Sequence, residues 1–441
     1  MPEAPLSSET GRYVAFIDEL RNAMTSPKDA KVAALLDGLA GSRCLELLQP
    51  EVIRSLGAFF TPSTIARRVA DAVPTQSGEN FRFFDPACGA ADLLLPIAAR
   101  LPVARTVSST LRAWNEKIAG CDVSAEFIEA GKLRLILLAA NRGAVVDGGV
   151  DGLTCLLDKL VVSDGLTATD QYRTCTHIVM NPPYGRIPGT VRPWRLGSTS
   201  AAALFLERAS ELSAAGTQIV ALLPEVLRTG ASYKSWREHI FARVTTNRPI
   251  SIGRFSPKAD VDVFIQRFVR RNDDKPREKT APKKSVIQPQ VKGIPTTREA
   301  GDNNVGSKFA VAVGTVVPFR HRKCGKEYAY LHAGNALPWA EISRINEVRK
   351  FTGRVFRPPF VVVRRTSRPG DKYRAVATLV LGKRLVAVEN HLLVLTPRRG
   401  ASSICRILVR LFKQASTNAR LDQAMRCRHL TVGSVSTLPW A

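Results

Sequence analysis

FFDPACGAADLLLP, residues 83–96, starts on an apolar run, passes through an acidic residue and a cluster of small ones, and ends in a second apolar run. It reads as a strand, a Gly-containing turn and the start of a helix. A turn of small residues lets the backbone approach a ligand closely, and Asp85 leading into it can engage a charged or hydroxylated group. Taken alone, the stretch is equally an ordinary strand-to-helix connection.

On either side of it the same grammar repeats. FRFFD (81–85), IAGCD (118–122), KLVVSD (159–164), HIVMN (177–181) and TQIVALLP (217–224) are short apolar runs that each end at a polar residue or a proline. Helical stretches lie between them, among them SAEFIEAGKLRLILLAANRG (124–143) and SAAALFLERASELSAAG (200–216). This alternation predicts an α/β fold with a parallel sheet covered by helices on both faces. Ligands of such sheets bind beyond the carboxyl ends of the strands, where the polar residues fall. Asp122 stands at such an end, where a carboxylate can accept hydrogen bonds from ribose hydroxyls; a surface Asp is the alternative.

The charge is unevenly spread. The 441 residues carry 64 Lys and Arg against 38 Asp and Glu, a net +26, which points to a polyanionic partner. From Val305 to the C-terminus there are 25 basic and 6 acidic residues, while the first 270 residues carry only +4. Catalysis and polyanion binding are therefore expected in different parts of the chain. The sequence divides into an N-terminal helical segment (1–56), a catalytic domain (57–270), a linker or loop rich in Pro, Lys and Asp (271–304) and a basic, β-rich domain (305–441). The eight cysteines are scattered without a C-x-x-C pair, so no metal site is expected and the thiols read as reduced and mostly buried. The start, MPEAPLSSETGR, has no apolar core of a signal peptide, and no run approaches the ~18 apolar residues of a membrane span, so a cytoplasmic location is expected.

HIVMNPPYGR (177–186) ends a strand with Asn-Pro-Pro-Tyr, which cannot continue a ladder because two consecutive residues lack N–H groups. Here the chain resembles the amino-methyltransferases, and the order of its motifs resembles the gamma class of DNA adenine (N6) methyltransferases of restriction–modification or phage-defence systems. GAFFTPSTIARRVA (57–70), DPACGAADLL (85–94), GCDVS (120–124), VVSDGL (161–166) and NPPY (181–184) supply five of its motifs in order, and RFSPKADVDVFIQRFV (254–269) resembles a later catalytic-domain strand. The resemblance implies a Rossmann-like methyltransferase core that uses S-adenosyl-L-methionine, with double-stranded DNA as substrate and a separately encoded restriction endonuclease or defence-system subunit as a partner.

It also implies roles for residues. Asn181 and Pro182 would accept the two hydrogens of the adenine amine, with Pro183 completing the turn and Tyr184 and Phe255 flanking the flipped base; a core Phe is an equal reading of the last. Phe60, Thr61, Pro62, Asp85, Ala87 and Gly89 would surround the methionine end of the cofactor, Asp122 its ribose and Asp164 its adenine, although Asp164 also reads as a strand-end cap. Ala91 departs from the family pattern, which has glycine there; its Cβ would crowd the cofactor or demand a strained backbone. In the basic domain Arg364, Arg365 and Arg368 follow the apolar run PPFVVV and are the candidates for DNA contact, against a solvated basic rim. Competing readings are an RNA adenine or a protein glutamine methyltransferase, and a catalytically inactive DNA-binding subunit.

Overall fold

The computed structural model describes residues 13–37, 39–47, 60–74, 81–255, 261–272, 303–368, 370–399, 402–425 and 428–440. The chain forms two compact units, Met1–Leu227 with Ser232–Ala281, and Arg228–Ala231 with Pro282–Ala441. Most of the expected linker falls outside the described residues.

The first unit is built on strands β1 (Phe83–Asp85), β2 (Ile118–Asp122), β3 (Leu160–Val162), β4 (His177–Met180), the β5–β6 hairpin (Arg186–Arg192 and Arg195–Ser200), β7 (Gln218–Pro224), β8 (Val244–Thr246), β9 (Ile250–Arg254) and β10 (Asp262–Arg270). Its main sheet runs β3-β2-β1-β4-β7-β10-β8, with β9 on β10. The first five strands of that order are parallel, and β10 lies antiparallel to β7, β8 and β9. The expected α/β class is therefore what the chain adopts.

Side chains alternate across the sheet as the pleat requires. Phe83, Ile118, Val179, Val220, Leu222 and Val263 enter one core, while Phe84, Ile178, Met180, Ile219, Leu223 and Phe264 enter the core on the other face. Burial on both faces explains why β4 and β7 read as unbroken apolar runs instead of alternating ones. The helix Ala125–Asn141 begins where the Ser124 hydroxyl accepts from the Phe127 amide, and it is buried along most of its length. The helices Val14–Ala23 and Ala30–Leu36 pack against it, which covers apolar surface that a solvent-facing helix would not carry.

The second unit holds a five-stranded sheet, β11-β18-β15-β16-β13, and a three-stranded one, β14-β12-β17. Its strands are β11 (Phe309–Val313), β12 (Lys326–Leu331), β13 (Glu341–Ile342), β14 (Val348–Phe351), β15 (Phe360–Arg364), β16 (Ala377–Val380), β17 (Val386–Val388) and β18 (Leu392–Pro397). The amphipathic helix Ser402–Lys413 buries Cys405, Leu408, Leu411 and Phe412 against this sheet. Among the described cysteines Cys88, Cys121, Cys175 and Cys405 are free and buried, whereas Cys155 and Cys324 are exposed. No described helix is long and apolar enough to cross a membrane.

Candidate active site

Because β1 to β4 run parallel, their carboxyl ends open on one side, and a cleft lies there. Phe60, Thr61, Asp85, Ala87, Gly89, Asp122, Asp164, Asn181 and Pro183 all line it. Residues separated by more than a hundred positions thus converge, because Asp85, Asp122, Asp164 and Asn181 sit at or just beyond strand ends while Phe60 and Thr61 lead into the helix Ser63–Asp71. Pro62, Pro182, Tyr184 and Phe255 stand outside its wall. Sequence reasoning missed Asp92, Phe127, Ser163, Leu166, Ile187 and Phe205, which also line it; of these only Asp92, inside the small-residue turn, carried a visible signal.

The Asn181 side chain is held at both ends. Its Nδ2 donates to Thr61 Oγ1 at 2.9 Å, and its Oδ1 accepts from the Tyr184 hydroxyl at 2.7 Å. Thr61 is fixed in turn, since its backbone N–H donates to Asp92 Oδ2 at 3.0 Å. Asp92 Oδ1 pairs with Arg134 Nη1 at 2.7 Å, and the Arg134 guanidinium also donates to the carbonyls of Leu35, Leu36 and Ala90. The chain Arg134–Asp92–Thr61–Asn181–Tyr184 therefore holds the Asn181 amide in place between two hydroxyls. Burial raises the Tyr184 phenol well above its ordinary value, so it stays a neutral donor.

Tyr184 meets Phe255 edge to face, with centroids 5.9 Å apart and planes at 78°. The two rings do not stand as parallel walls, and Phe255 is buried in the core. The Asp164 Oδ1 accepts from the Leu166 amide at 2.9 Å, so this residue caps its strand and lines the cleft at once. The next residue, Gly165, has no room for a side chain: a Cβ there would lie 1.8 Å from the Pro86 carbonyl oxygen. Close approach of the two loops is what brings Asp164 into the cleft.

Two carboxylates carry the electrostatics. Asp122 Oδ2 accepts from the Gly89 amide at 3.0 Å and its Oδ1 from the Ser124 amide at 3.1 Å. Burial raises Asp122, and it pushes Asp85 up to about 8, against a hydrogen bond from the Ala87 amide that lowers it. The folded protein therefore binds a proton at Asp85 that an unfolded chain, with a carboxyl near 3.8, has already released. That contribution to stability is complete below about pH 4 and is lost as pH rises through about 8. The melting temperature of the ligand-free protein is expected to fall across this window, and Asp85→Asn, which keeps the oxygen facing Ala87, is expected to flatten the fall. An unchanged slope in calorimetric melts of the variant would refute the assignment.

Ala91 adopts φ +67°, a left-handed conformation, and its side chain is fully buried. The methyl is absent from the cleft wall. It faces the helix Ala125–Asn141 at Gly131, where an added Cβ would come within 3.3 Å of it. Of the two consequences expected from the missing glycine, the left-handed backbone is present, and the methyl packs on the helix instead of lining the cleft. Ala91→Gly would relieve roughly 1–2 kcal/mol of left-handed strain but lose about 0.8 kcal/mol of methyl burial and loosen the unfolded chain. Stability is expected to change by less than about 1 kcal/mol, and affinity for S-adenosylhomocysteine by less than about twofold. Calorimetric titration showing much tighter binding would bring crowding back.

In the second unit, Arg364 donates from Nη2 to the carbonyls of Ala333 (3.2 Å) and Ala336 (3.3 Å), and Arg365 from Nη1 to that of Asn390 (3.0 Å). Burial lowers Arg365 from its ordinary value. Both are half-buried and tie down neighbouring segments of the unit, whereas Arg368 is exposed.

A parallel sheet with one antiparallel strand, buried on both faces and with a cleft at the carboxyl ends of its strands, defines a Rossmann-like α/β core. Residues 44–191 match the family model described as N-6 DNA Methylase, a stretch that holds the Phe60–Pro62 element, the Asp85–Gly89 turn and the Asn181–Tyr184 turn. The chain is 24% identical over 199 residues to the Type II methyltransferase M.BsuBI of Bacillus subtilis; the match covers 43% of this chain and 38% of that relative's length. Two solved structures are similar in part. The type IIG restriction endonuclease BpuSI matches at 15% identity over 85% of this chain and 57% of its own, with a TM-score of 0.39. The Type I restriction enzyme EcoKI M protein matches at 13% identity over 60% of each chain, with a TM-score of 0.34.

Proposed function

We propose that this chain is a site-specific DNA methyltransferase of the gamma class, acting on the N6 amino group of adenine with S-adenosyl-L-methionine as donor. The observation that carries the reading is the Asn181 amide fixed between Thr61 and Tyr184 at the rim of a cleft whose other residues suit that donor. The cleft fits the cofactor by its chemistry. Asp122 accepts from the Gly89 and Ser124 amides, and a carboxylate has acceptor capacity beyond these for ribose hydroxyls. The buried Asp85 would regain its charge beside a cationic ligand. Bound there, the cofactor supplies an electrophilic methyl group.

The residues of the chain do the rest. The adenine amine is a poor nucleophile because its lone pair is delocalised into the ring. Asn181 Oδ1, with the Pro182 carbonyl, would accept the two amine hydrogens. That draws the nitrogen toward tetrahedral geometry and aims its lone pair into the cleft. Positioning and electrostatics are then the main catalytic terms, with no covalent enzyme intermediate. The target base must leave the duplex stack to reach this rim. The second unit, with most of the net charge, would supply target recognition, and Arg368 is its accessible candidate of the three arginines. Double-stranded DNA and a separate nuclease or defence subunit are the partners this reading implies.

The test is sequencing that reports modified bases in DNA from cells expressing the wild-type chain or its Asn181→Ala variant. One adenine-containing site modified by the first and not by the second is the expected result. Equal modification by both, or none by the wild type, overturns the proposal.

A further inference from the structure

The β5–β6 hairpin begins at Arg186, two residues after Tyr184, and contains three arginines and no acidic residue. Its base is tied to the cleft: the Ala201 amide donates to the Gly185 carbonyl at 2.9 Å, and Ile187 and Ala201 both line the cavity. Its tip is anchored as well. Trp194 is buried and donates from Nε1 to Glu207 Oε1 at 2.5 Å, while Arg192 Nε pairs with Glu207 Oε2 at 3.2 Å. Arg195 donates from Nη1 to the Ser232 carbonyl at 3.3 Å.

In this two-stranded ribbon Arg192 and Arg195 are register partners, and so are the adjacent residues Val191 and Leu196. Successive side chains point to opposite faces. One face is therefore spent on anchoring the ribbon, and the other presents Val191 and Leu196 side by side, 78% and 77% exposed. Scattered exposed hydrophobics need no explanation, but a paired one on a rigid ribbon rooted at a catalytic turn does. Val191 lies four residues beyond the cleft-lining Ile187, a reach of roughly 13 Å at strand rise. The pair is too small for a protein-docking plane, and the exposed Arg186 at the base of a ribbon without acidic residues suits a phosphate-rich partner.

Resting on the proposed function, we infer that Val191 and Leu196 form an apolar wedge that enters the duplex stack where the target adenine leaves it. Removing a base from the stack leaves an apolar gap, and aliphatic side chains inserted between bases offset part of the unstacking cost. Anchoring by Trp194 and Glu207 spares the ordering cost that a free loop would bear on binding. The catalytic unit thereby has a DNA contact of its own, beside the basic second unit.

The experiment uses the full chain with S-adenosylhomocysteine and a duplex of the modified site, with 2-aminopurine in place of the target adenine. Wild-type protein should raise the fluorescence as the base unstacks. The double variant Val191→Ala, Leu196→Ala should lower that rise by about fivefold or more while leaving S-adenosylhomocysteine affinity unchanged, and Leu196→Met alone should retain it. Both side chains are exposed, so folding is not at stake. A wild-type rise in the double variant overturns the wedge while leaving the methyltransferase reading intact. If the same variant instead turns a dimer into a monomer in size-exclusion chromatography, the pair is an interface between copies and the wedge is also overturned. No rise with the wild-type chain would count against the underlying function.

Discussion

Asn181→Ala is expected to lower turnover by about 100-fold or more while leaving DNA affinity nearly unchanged. The magnitude follows from what is lost. In a partly enclosed cleft one preorganised acceptor aimed at the reacting amine is worth far more than the same group in water, since it needs no reorganisation as charge develops. The variant also removes a donor from Thr61 Oγ1 and the Asn181 acceptor from the Tyr184 hydroxyl. Some loss in base capture should therefore accompany the loss in turnover. Single-turnover kinetics separates the two: a fall in the methyl-transfer step at saturating DNA is the expected signature. Wild-type turnover in the purified variant would remove Asn181 from the reaction.

What the sequence reveals of this molecule follows from which contacts are local. β2 was legible residue for residue, and β4 and β7 nearly so, because both faces of each strand are buried and apolar residues must then be continuous. The antiparallel direction of β10 was not legible, since apolar content is the same in either direction and only the connection decides it. The hairpin was missed altogether: RIPGTVRPWRLGSTS mixes two prolines and two glycines with charge, and its one large buried side chain, Trp194, meets Glu207 on a helix that follows. The cleft was legible through motifs at strand ends. Its support was not, because the partners of Arg134 lie 42, 44, 98 and 99 positions away. The one available clue was an arginine set between Leu133 and Leu135 in an otherwise apolar stretch of helix.

The position of Arg134 makes its loss costly to the fold. It is 1% exposed, paired with a carboxylate that is itself buried, and bonded to three backbone carbonyls, two of which belong to the end of the helix Ala30–Leu36. Replacing such a pair by apolar residues on both sides can be neutral, but removing one partner leaves the other charged and unpaired in the core. Arg134→Met is therefore expected to destabilise the protein by roughly 3–5 kcal/mol, through the stranded Asp92 carboxylate and the carbonyls left without a donor. Adding Asp92→Leu should recover part of that stability, because the unpaired charge goes with it. It should not recover activity. The Thr61 amide then has lost its acceptor, and Thr61 is what orients the Asn181 amide. Urea melts of the two variants, read beside their turnover, check both halves of the expectation. A single variant within about 1 kcal/mol of wild type would show that the core relaxes around Asp92. A double variant with full turnover would show that Asn181 is oriented by Tyr184 alone.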